Sequence, residues 1–194
     1  MTTGRLILII GPSGVGKSVI LRALRESESA YVFPRSATTR KRRAGEGDDL
    51  YHFVSEEEFS RMVSEGRFLE WAQVHKGARY GTLLSEIVPA IEQGKTVVRE
   101  VDVQGFQSIV EHPAFSGSST QYSLKTIFIL PESEDQLIAH IAKRSPMSPE
   151  ELQRRLSSVR SELAVSEKTD VQIRNREGKL NETIQAVRQA IEEE

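Results

Sequence analysis

The sequence predicts an α/β protein in which a parallel β-sheet is covered by helices on both faces. Apolar runs of strand length alternate along the chain with amphipathic runs of helix length, beginning with the uninterrupted apolar run at 6–10. A glycine-rich segment joins this first strand to the first helix, where open α/β sheets bind their ligands. The 194 residues are enough for one compact domain with a small insert.

The glycine-rich segment at 11–18 reads GPSGVGKS, which is the complete phosphate-binding loop pattern G-x-x-x-x-G-K-S. The backbone N–H groups of such a loop and the N-terminus of the following helix attract phosphate. Lys17 adds a charge for the β- and γ-phosphates, and Ser18 offers a hydroxyl to Mg²⁺. A turn without a ligand would need neither side chain. We therefore predict an ATP site formed by Gly11, Pro12, Ser13, Gly14, Val15, Gly16, Lys17 and Ser18.

The first half of the chain predicts strands at 5–10, 31–33, 50–54 and 68–74, helices at 18–26, 55–65 and 83–93, and a turn at 76–81. Ser55 and Glu58 form a capping box for the second helix. We expect Phe68 and Trp71 to be core residues. The charged segment 35–49 is compatible with a solvated loop, or with a binding site for an anion. Residues 36–82 thus form a strand-rich insert.

The second half returns to the alternating pattern. It predicts strands at 96–101, 126–130 and 171–174, and helices at 104–110, 134–143, 149–163 and 180–191. Ser133 is the predicted N-cap of the second of these helices. Ser148, Pro149 and Glu151 form a capping box for the third.

Composition limits the function classes. The net charge of −2, with both signs interspersed, gives no support to a nucleic-acid binder or an anionic-membrane binder. The absence of cysteine excludes disulfides and thiolate chemistry, and the four histidines do not have metal-ligand spacing. No apolar run approaches the ~20 residues of a membrane span. We expect a cytoplasmic protein.

Six further stretches, taken together, carry a family resemblance. They occur in this order: SATTR at 36–40, R-x-G-E at 43–46, YHFVS at 51–55, FLEWA at 68–72, YGT at 80–82 and VDVQG at 101–105. With the phosphate-binding loop, they make residues 5–192 resemble the guanylate kinase family. The resemblance implies a P-loop NTPase-type sheet in a core at 1–35 and 83–194, with a helical lid at about 137–148. It also implies that the insert at 36–82 binds a nucleoside monophosphate.

The resemblance and the residue chemistry together indicate a GMP site. Arginine forks such as Arg40 and Arg43 suit a phosphate. Guanine N1–H and N2–H call for acceptors, which a carboxylate such as Glu70 and the hydroxyls of Ser36 and Thr82 can supply. Adenine presents an acceptor at N1 and would leave the carboxylate unpaired, which predicts GMP over AMP. Glu46 is expected to order the arginines. The full predicted GMP-binding set is Ser36, Arg40, Arg43, Glu46, Tyr51, Glu70, Tyr80, Thr82 and Asp102.

The resemblance implies phosphorylation of GMP and dGMP by ATP with Mg²⁺, in a monomer or homodimer. Positioning and neutralisation of charge do most of the work in such a transfer. The predicted catalytic residues are Lys17, Arg40, Arg144 and Arg155. Arg144 is also compatible with a helix C-terminal cation, and Arg155 with a surface charge. We expect Ser18 to bind Mg²⁺ directly, and Glu100 and Asp102, two apart on a strand, to approach it through water.

The sequence departs from the family pattern at four places. Val19 replaces a usual Thr, His140 stands at a lid arginine, Arg99-Glu100-Val101 replaces Leu-Asp-Ile, and Arg144-Ser145-Pro146 replaces Arg-Gly-Thr. Arg99 points away from the face of Glu100 and needs a partner that the sequence does not identify.

These departures keep two alternatives open. One is a weak or inactive guanylate-kinase-like binding module, against which the complete phosphate-binding loop argues. The other is a kinase of the same fold acting on another phosphorylated acceptor, such as ribose 1,5-bisphosphate. Retention of Ser36, Glu70, Tyr80 and Thr82 argues against the second, since a sugar phosphate has no guanine edge.

Overall fold

The structure, a computed structural model, describes residues 4–27, 30–73, 77–116, 121–144 and 148–193, without the side chains at 141–144, 149, 151, 152 and 155. The chain divides into two compact units. The first comprises Met1–Leu6, Ala30–Arg99 and Gln107–Leu124, and the second comprises Ile7–Ser29, Glu100–Phe106 and Lys125–Glu194.

Outside the insert, the described residues contain strands and helices in the alternating order that the sequence predicts, whereas the insert holds two strands, at Ser36–Thr38 and Arg79–Leu83, that were not predicted. The strands are β1 (Arg5–Ile10), β2 (Tyr31–Val32), β3 (Ser36–Thr38), β4 (Tyr51–Phe53), β5 (Phe68–Gln73), β6 (Arg79–Leu83), β7 (Thr96–Glu100), β8 (Ser123–Pro131) and β9 (Val171–Asn175). The α-helices are α1 (Lys17–Ser27), α2 (Glu56–Ser64), α3 (Leu84–Glu92), α4 (Val103–Glu111), α5 (Glu134–Arg144), α6 (Pro149–Ala164) and α7 (Leu180–Glu192).

A five-stranded sheet has the order β2-β7-β1-β8-β9. β2 runs parallel to β7, and β8 runs parallel to β9. The apolar residues of β1 are fully buried, as expected for the middle strand of a sheet with helices on both faces. The predicted α/β class with a parallel central sheet is therefore confirmed.

In the second unit, the core gathers apolar side chains from the sheet and from two helices, α1 and α7, which pack together. Its fully buried members include Ile7, Leu8, Ile9, Ile10, Ile20, Leu24, Ile127, Phe128, Ile129 and Val187. The Ser133 hydroxyl accepts a hydrogen bond from the Gln136 N–H at 3.1 Å, which confirms the predicted cap of α5. None of the helices that the structure describes combines the length and apolar character needed to cross a membrane.

In the first unit, a second sheet has the order β4-β3-β6-β5. β3 pairs in parallel with β4 and antiparallel with β6, and β5 pairs antiparallel with β6. One face of this sheet packs on α2 through a buried cluster of Ala37, Phe59, Met62, Phe68 and Leu83. α2 begins after Ser55, whose hydroxyl accepts from the Glu58 N–H at 3.0 Å, as predicted.

Two sequence predictions in this sheet are wrong. Residues 79–81 lie in strand β6 and not in a turn. Gly81 made the segment look like a turn, but the strand needs a glycine there, because a Cβ would lie 2.5 Å from the Phe68 ring. Phe68 is buried as predicted, whereas Trp71 is 45% exposed and is not a core residue.

Candidate functional site

The phosphate-binding loop lies in the second unit, between the end of β1 and the start of α1. Gly14 and Gly16 have φ values of 88° and 102°, which favour glycine. The Gly16 carbonyl accepts hydrogen bonds from the N–H groups of Val19 and Ile20, both at 3.1 Å, and so joins the loop to the first turn of α1. The helix N-terminus, with its positive potential, therefore faces the loop.

Lys17 is folded onto its own loop. Its Nζ donates to the carbonyl oxygens of Gly11 at 2.6 Å and Pro12 at 3.1 Å, and the residue is only 8% exposed. Burial lowers the pKa of the ammonium, and the nearby negative charge of Glu100 opposes that shift. A phosphate placed in the loop would offer this buried cation a charged partner in place of two neutral carbonyls.

Ser18 and Glu100 are in contact. The Ser18 hydroxyl donates to Glu100 Oε1 at 3.2 Å, and Glu100 is the last residue of β7. Asp102 lies beyond the end of this strand, so the prediction that the two carboxylates share one strand face is wrong. Asp102 instead directly precedes α4, and its Oδ1 accepts from the Gly105 N–H in the first turn of that helix at 2.8 Å. The part of the chain that the structure describes holds no group of three or more histidine, aspartate or glutamate side chains placed to bind a metal.

Asn175 supports the loop from the end of β9. Its Nδ2 donates to the Val15 carbonyl at 2.8 Å, and its Oδ1 accepts from the Thr183 hydroxyl at 3.0 Å. A Cβ on Gly16 would lie 2.8 Å from the same amide nitrogen. The sequence analysis missed Asn175. The available signal was a polar residue at the carboxyl end of a predicted parallel strand, where such sheets place their binding groups.

A cleft of about 340 Å³ opens at the loop, a volume within the range of small-molecule sites. Three of the residues that depart from the family pattern, Val19, Glu100 and His140, lie on its wall. The lining residues are Ser13, Gly14, Gly16, Lys17, Ser18, Val19, Glu100 and His140.

The predicted base-binding residues form a row across the four-stranded sheet of the first unit. Ser36 on β3 is directly opposite Thr82 on β6, and Thr82 is directly opposite Glu70 on β5. Opposed residues of antiparallel strands share a face, so the three side chains lie together. The Thr82 hydroxyl donates to Glu70 Oε1. We call Ser36, Thr82 and Glu70 the polar row.

A shift in register along β5 changes which face of the sheet its side chains occupy. The pairing of β5 with β6 slips between Phe68 and Glu70, as in a β-bulge. Phe68 and Leu69 are consecutive residues, yet both are buried, and Glu70 then joins the polar row. The bulge thus turns the carboxylate away from the apolar cluster.

Arg40 is held by a two-pronged ion pair. Its Nη1 and Nη2 donate to the two carboxylate oxygens of Glu46 at 3.0 and 2.6 Å. Glu46 Oε2 also accepts from the Arg43 N–H at 3.0 Å. The hydrogen bonds from Arg40 and then from the Arg43 backbone lower the pKa of Glu46 to about 2, and Glu46 raises the pKa of Arg40. Glu46 therefore contacts the Arg40 side chain and the Arg43 backbone.

Aromatic rings flank the same arginine. The Arg40 guanidinium carbon lies 5.3 Å from the ring centre of Tyr51 and 5.4 Å from that of Phe53. Tyr51 packs edge-on against Tyr80, with ring centres 5.9 Å apart. The structure thus brings together Arg40, Tyr51 and Tyr80, three residues of the predicted GMP-binding set.

The structure identifies a partner for Arg99. Its Nη2 donates to the Ser36 hydroxyl oxygen at 2.7 Å, which places the guanidinium beside the polar row. The sequence analysis gave Arg99 no partner, because Ser36 is 63 positions away and on a different sheet.

Not every predicted site residue joins these groups. Asp102 belongs to the second unit, whereas the other eight residues of the predicted GMP set belong to the first. The side chains of Arg144 and Arg155, together with Ser145 and Pro146, lie outside the described residues.

Comparison with known proteins agrees with this arrangement. The family model for guanylate kinase matches residues 3–194. The guanylate kinase of Nocardia farcinica is 39% identical over 176 residues, which cover 90% of this chain and 87% of the relative. That of Prochlorococcus marinus is 39% identical over 184 residues, 94% of each chain. The crystal structure of guanylate kinase from Anaplasma phagocytophilum superposes with a TM-score of 0.67 and 26% identity, over 98% of this chain and 85% of that one. The chain therefore belongs to the guanylate kinase family.

Proposed function

We propose that the protein is an ATP-dependent guanylate kinase. It transfers the γ-phosphoryl group of ATP to a phosphate oxygen of GMP or dGMP, giving ADP and GDP or dGDP. The observation that carries this proposal is the polar row. The Glu70 carboxylate accepts from Thr82, and the row continues to Ser36, an arrangement that suits a guanine edge. It occurs in a chain of this family that also has a complete phosphate-binding loop.

The donor nucleotide is assigned to the loop of the second unit. Its backbone N–H groups and the N-terminus of α1 receive the phosphates. Lys17 exchanges the carbonyl oxygens of Gly11 and Pro12 for oxygens of the β- and γ-phosphates. The buried ammonium then faces the group that moves, where neutralising charge lowers the barrier.

The acceptor nucleotide is assigned to the polar row and to Arg40. Glu70 accepts from guanine N1–H and N2–H, and the Thr82 hydroxyl keeps the carboxylate in orientation. AMP would turn the N1 lone pair towards this carboxylate, which disfavours its binding. Arg40 and Arg43 take the phosphate of GMP, with the hydroxyls of Tyr51 and Tyr80 beside it.

A magnesium ion fits the donor end. The Ser18 hydroxyl and the Glu100 carboxylate are hard oxygen ligands already in contact with each other. Asp102 uses Oδ1 to accept from the Gly105 N–H, and its second carboxylate oxygen could accept from a water ligand of the ion. When bound, the ion supplies positive charge that neutralises the β- and γ-phosphate oxygens. Ser18 would hold it directly, and Glu100 and Asp102 would hold its water ligands.

The remaining cations are proposed on family resemblance. Arg40, Arg144 and Arg155 would surround the transferred group with Lys17, since transfer depends on positioning and charge neutralisation. A cytoplasmic location and a monomeric or homodimeric state also remain predictions.

The test is ADP release from ATP and Mg²⁺ with GMP, dGMP, AMP, UMP and ribose 1,5-bisphosphate offered separately, with the Lys17→Ala variant as the blank. We expect turnover with GMP and dGMP alone. Turnover with the ribose compound instead would indicate a kinase of the same fold with another acceptor. Binding of GMP without turnover would indicate a binding module and would contradict the proposal.

A further inference from the structure

Arg99 acts on one member of the polar row. It lies near the end of β7, and its Nη2 donates to the hydroxyl oxygen of Ser36 on β3 at 2.7 Å. Ser36 is only 4% exposed, so this hydrogen bond is made in a nearly dry environment. Both residues belong to the first unit.

The direction of this hydrogen bond is fixed by chemistry. A guanidinium carries five N–H donors and no acceptor, so Arg99 donates and the Ser36 oxygen accepts. A serine hydroxyl has one hydrogen, and that hydrogen remains for another acceptor.

The neighbouring hydroxyl has the opposite assignment. Thr82 is fully buried, and its hydrogen is donated to the Glu70 carboxylate. Along the row, Ser36 therefore presents a hydrogen-bond donor and Glu70 presents an acceptor, with Thr82 between them.

This order of donor and acceptor distinguishes the two purines. Guanine presents an acceptor at O6 beside a donor at N1–H, whereas adenine presents a donor at its 6-amino group beside an acceptor at N1. A hydroxyl that accepts from a cation is polarised and becomes a stronger donor, since linked hydrogen bonds reinforce one another.

We propose that Arg99 is a positioning residue for base selection, which keeps the Ser36 hydroxyl as a donor to the 6-oxo group of the acceptor purine. This inference rests on the proposed function, because it assumes that the polar row binds the base. Arg99 acts through Ser36 and sharpens selection for 6-oxopurines. It is not required for the transfer itself.

The test compares three acceptors in the Arg99→Leu variant. Leucine is the residue that the family resemblance leads us to expect here, and Arg99→Met is a second variant should the first not fold. GMP and IMP both keep O6 and N1–H, and IMP lacks the 2-amino group. 6-Thio-GMP keeps N1–H and the 2-amino group but replaces O6 by sulfur, a weaker acceptor.

We expect the kcat/KM for GMP and for IMP to fall by the same factor, about fivefold, as for loss of one hydrogen bond. The change should lie in KM, and the value for 6-thio-GMP should fall much less. The KM for ATP should not change. Arg67→Leu, which removes an exposed arginine of the same unit, is the matched control. It should leave the kcat/KM values for all three acceptors as in the wild type.

A double variant identifies the route. If Arg99 acts through Ser36, Arg99→Leu adds no further loss of 6-oxo preference in a Ser36→Ala background. Should neither Arg99 variant fold, Ser36→Ala alone tests the same hydroxyl. It should lower the kcat/KM for GMP more than the kcat/KM for 6-thio-GMP.

The outcomes separate this inference from the proposed function. Equal losses for all three acceptors, a loss in kcat alone, or additive effects in the double variant would overturn the role of Arg99 and leave the kinase assignment standing. A wild-type protein that phosphorylates no guanine nucleotide would overturn both.

Discussion

The ammonium of Lys17 lies 2.6 Å from the carbonyl oxygen of Gly11, the first residue of its own loop. The cation is therefore kept in the loop by neutral acceptors and is available to exchange them for phosphate oxygens. The side chain has a place in the folded loop as well as a proposed role in transfer.

Lys17→Ala should abolish turnover while the protein stays folded. Loss of a cation at the developing charge typically costs at least about 100-fold in kcat. ADP release and circular dichroism check the two parts of this expectation. Lys125→Ala is the matched control, since that ammonium donates to the Glu193 carbonyl at the surface. Activity near the wild-type rate in the Lys17 variant would contradict the assignment of the loop.

Glu70→Gln should raise the KM for GMP by roughly 10- to 100-fold, as for a charge-assisted hydrogen bond, and leave the KM for ATP unchanged. The amide keeps the shape of the carboxylate but turns one acceptor into a donor. Steady-state kinetics with each substrate varied in turn provide the measurement. Glu65→Gln, at an exposed position after α2, serves as the control. Equal effects on the two substrates would rule out a role in reading the base.

The ion pair of Glu46 with Arg40 predicts a pH-dependent stability. The pKa of Glu46 is about 2 in the folded protein against an ordinary value of 4.5, so the folded state binds fewer protons. The stabilisation is complete above pH 4.5 and is lost as the pH falls towards 2. The difference in Tm between the wild type and Glu46→Gln should therefore close over that window. A difference that stays constant down to the lowest pH would show that the carboxylate charge is not responsible.

Asn175→Ala should weaken ATP binding by about fivefold, as for loss of one hydrogen bond, and leave GMP binding unchanged. The variant removes the amide that donates to the Val15 carbonyl and orders the loop. Calorimetric titration with each nucleotide measures both effects. Asn181→Ala, on the exposed side of α7, is the control. Wild-type ATP affinity in the Asn175 variant would show that the loop keeps its shape unaided.

Gly81→Ala should destabilise the protein by about 1–3 kcal/mol, the usual effect of overpacking. The new methyl group would meet the Phe68 ring at 2.5 Å in the middle of β6. Urea denaturation measures the free energy of unfolding of each variant. In Gly47→Ala the nearest group is the end of the flexible Asp49 side chain at 3.1 Å, so that variant should unfold close to the wild type. If the two variants were equally stable, the close packing of Gly81 on Phe68 would not contribute to the free energy of unfolding.

The sequence was sufficient for features set by local chemistry. The phosphate-binding loop and the caps at Ser55 and Ser133 each depend on a few consecutive residues, and the parallel sheet follows from the alternation of strands and helices along the chain. The order of the polar row was not predicted, although its three residues were, because the register of three strands is fixed only by their pairing.

Features that depend on distant residues were missed or wrong. Asn175 reaches Val15 across 160 positions, and Arg99 reaches Ser36 on another sheet, so neither contact leaves a local pattern. Strand β6 was taken for a turn because a glycine usually interrupts strands, whereas here it makes room for an aromatic ring. Trp71 was assigned to the core on its hydrophobicity, although on the edge strand β5 its ring packs only edge-on against Phe59 and stays 45% exposed.

Trp71 is the sole tryptophan of the chain, and it adjoins Glu70 in a strand of the first unit. The four tyrosines, at 31, 51, 80 and 122, also fall in that unit. Near-ultraviolet absorbance and intrinsic fluorescence therefore report almost entirely on one half of the molecule. An optical melting curve will follow the unfolding of the first unit, which holds the four-stranded sheet, and will report little on the unit that carries the phosphate-binding loop.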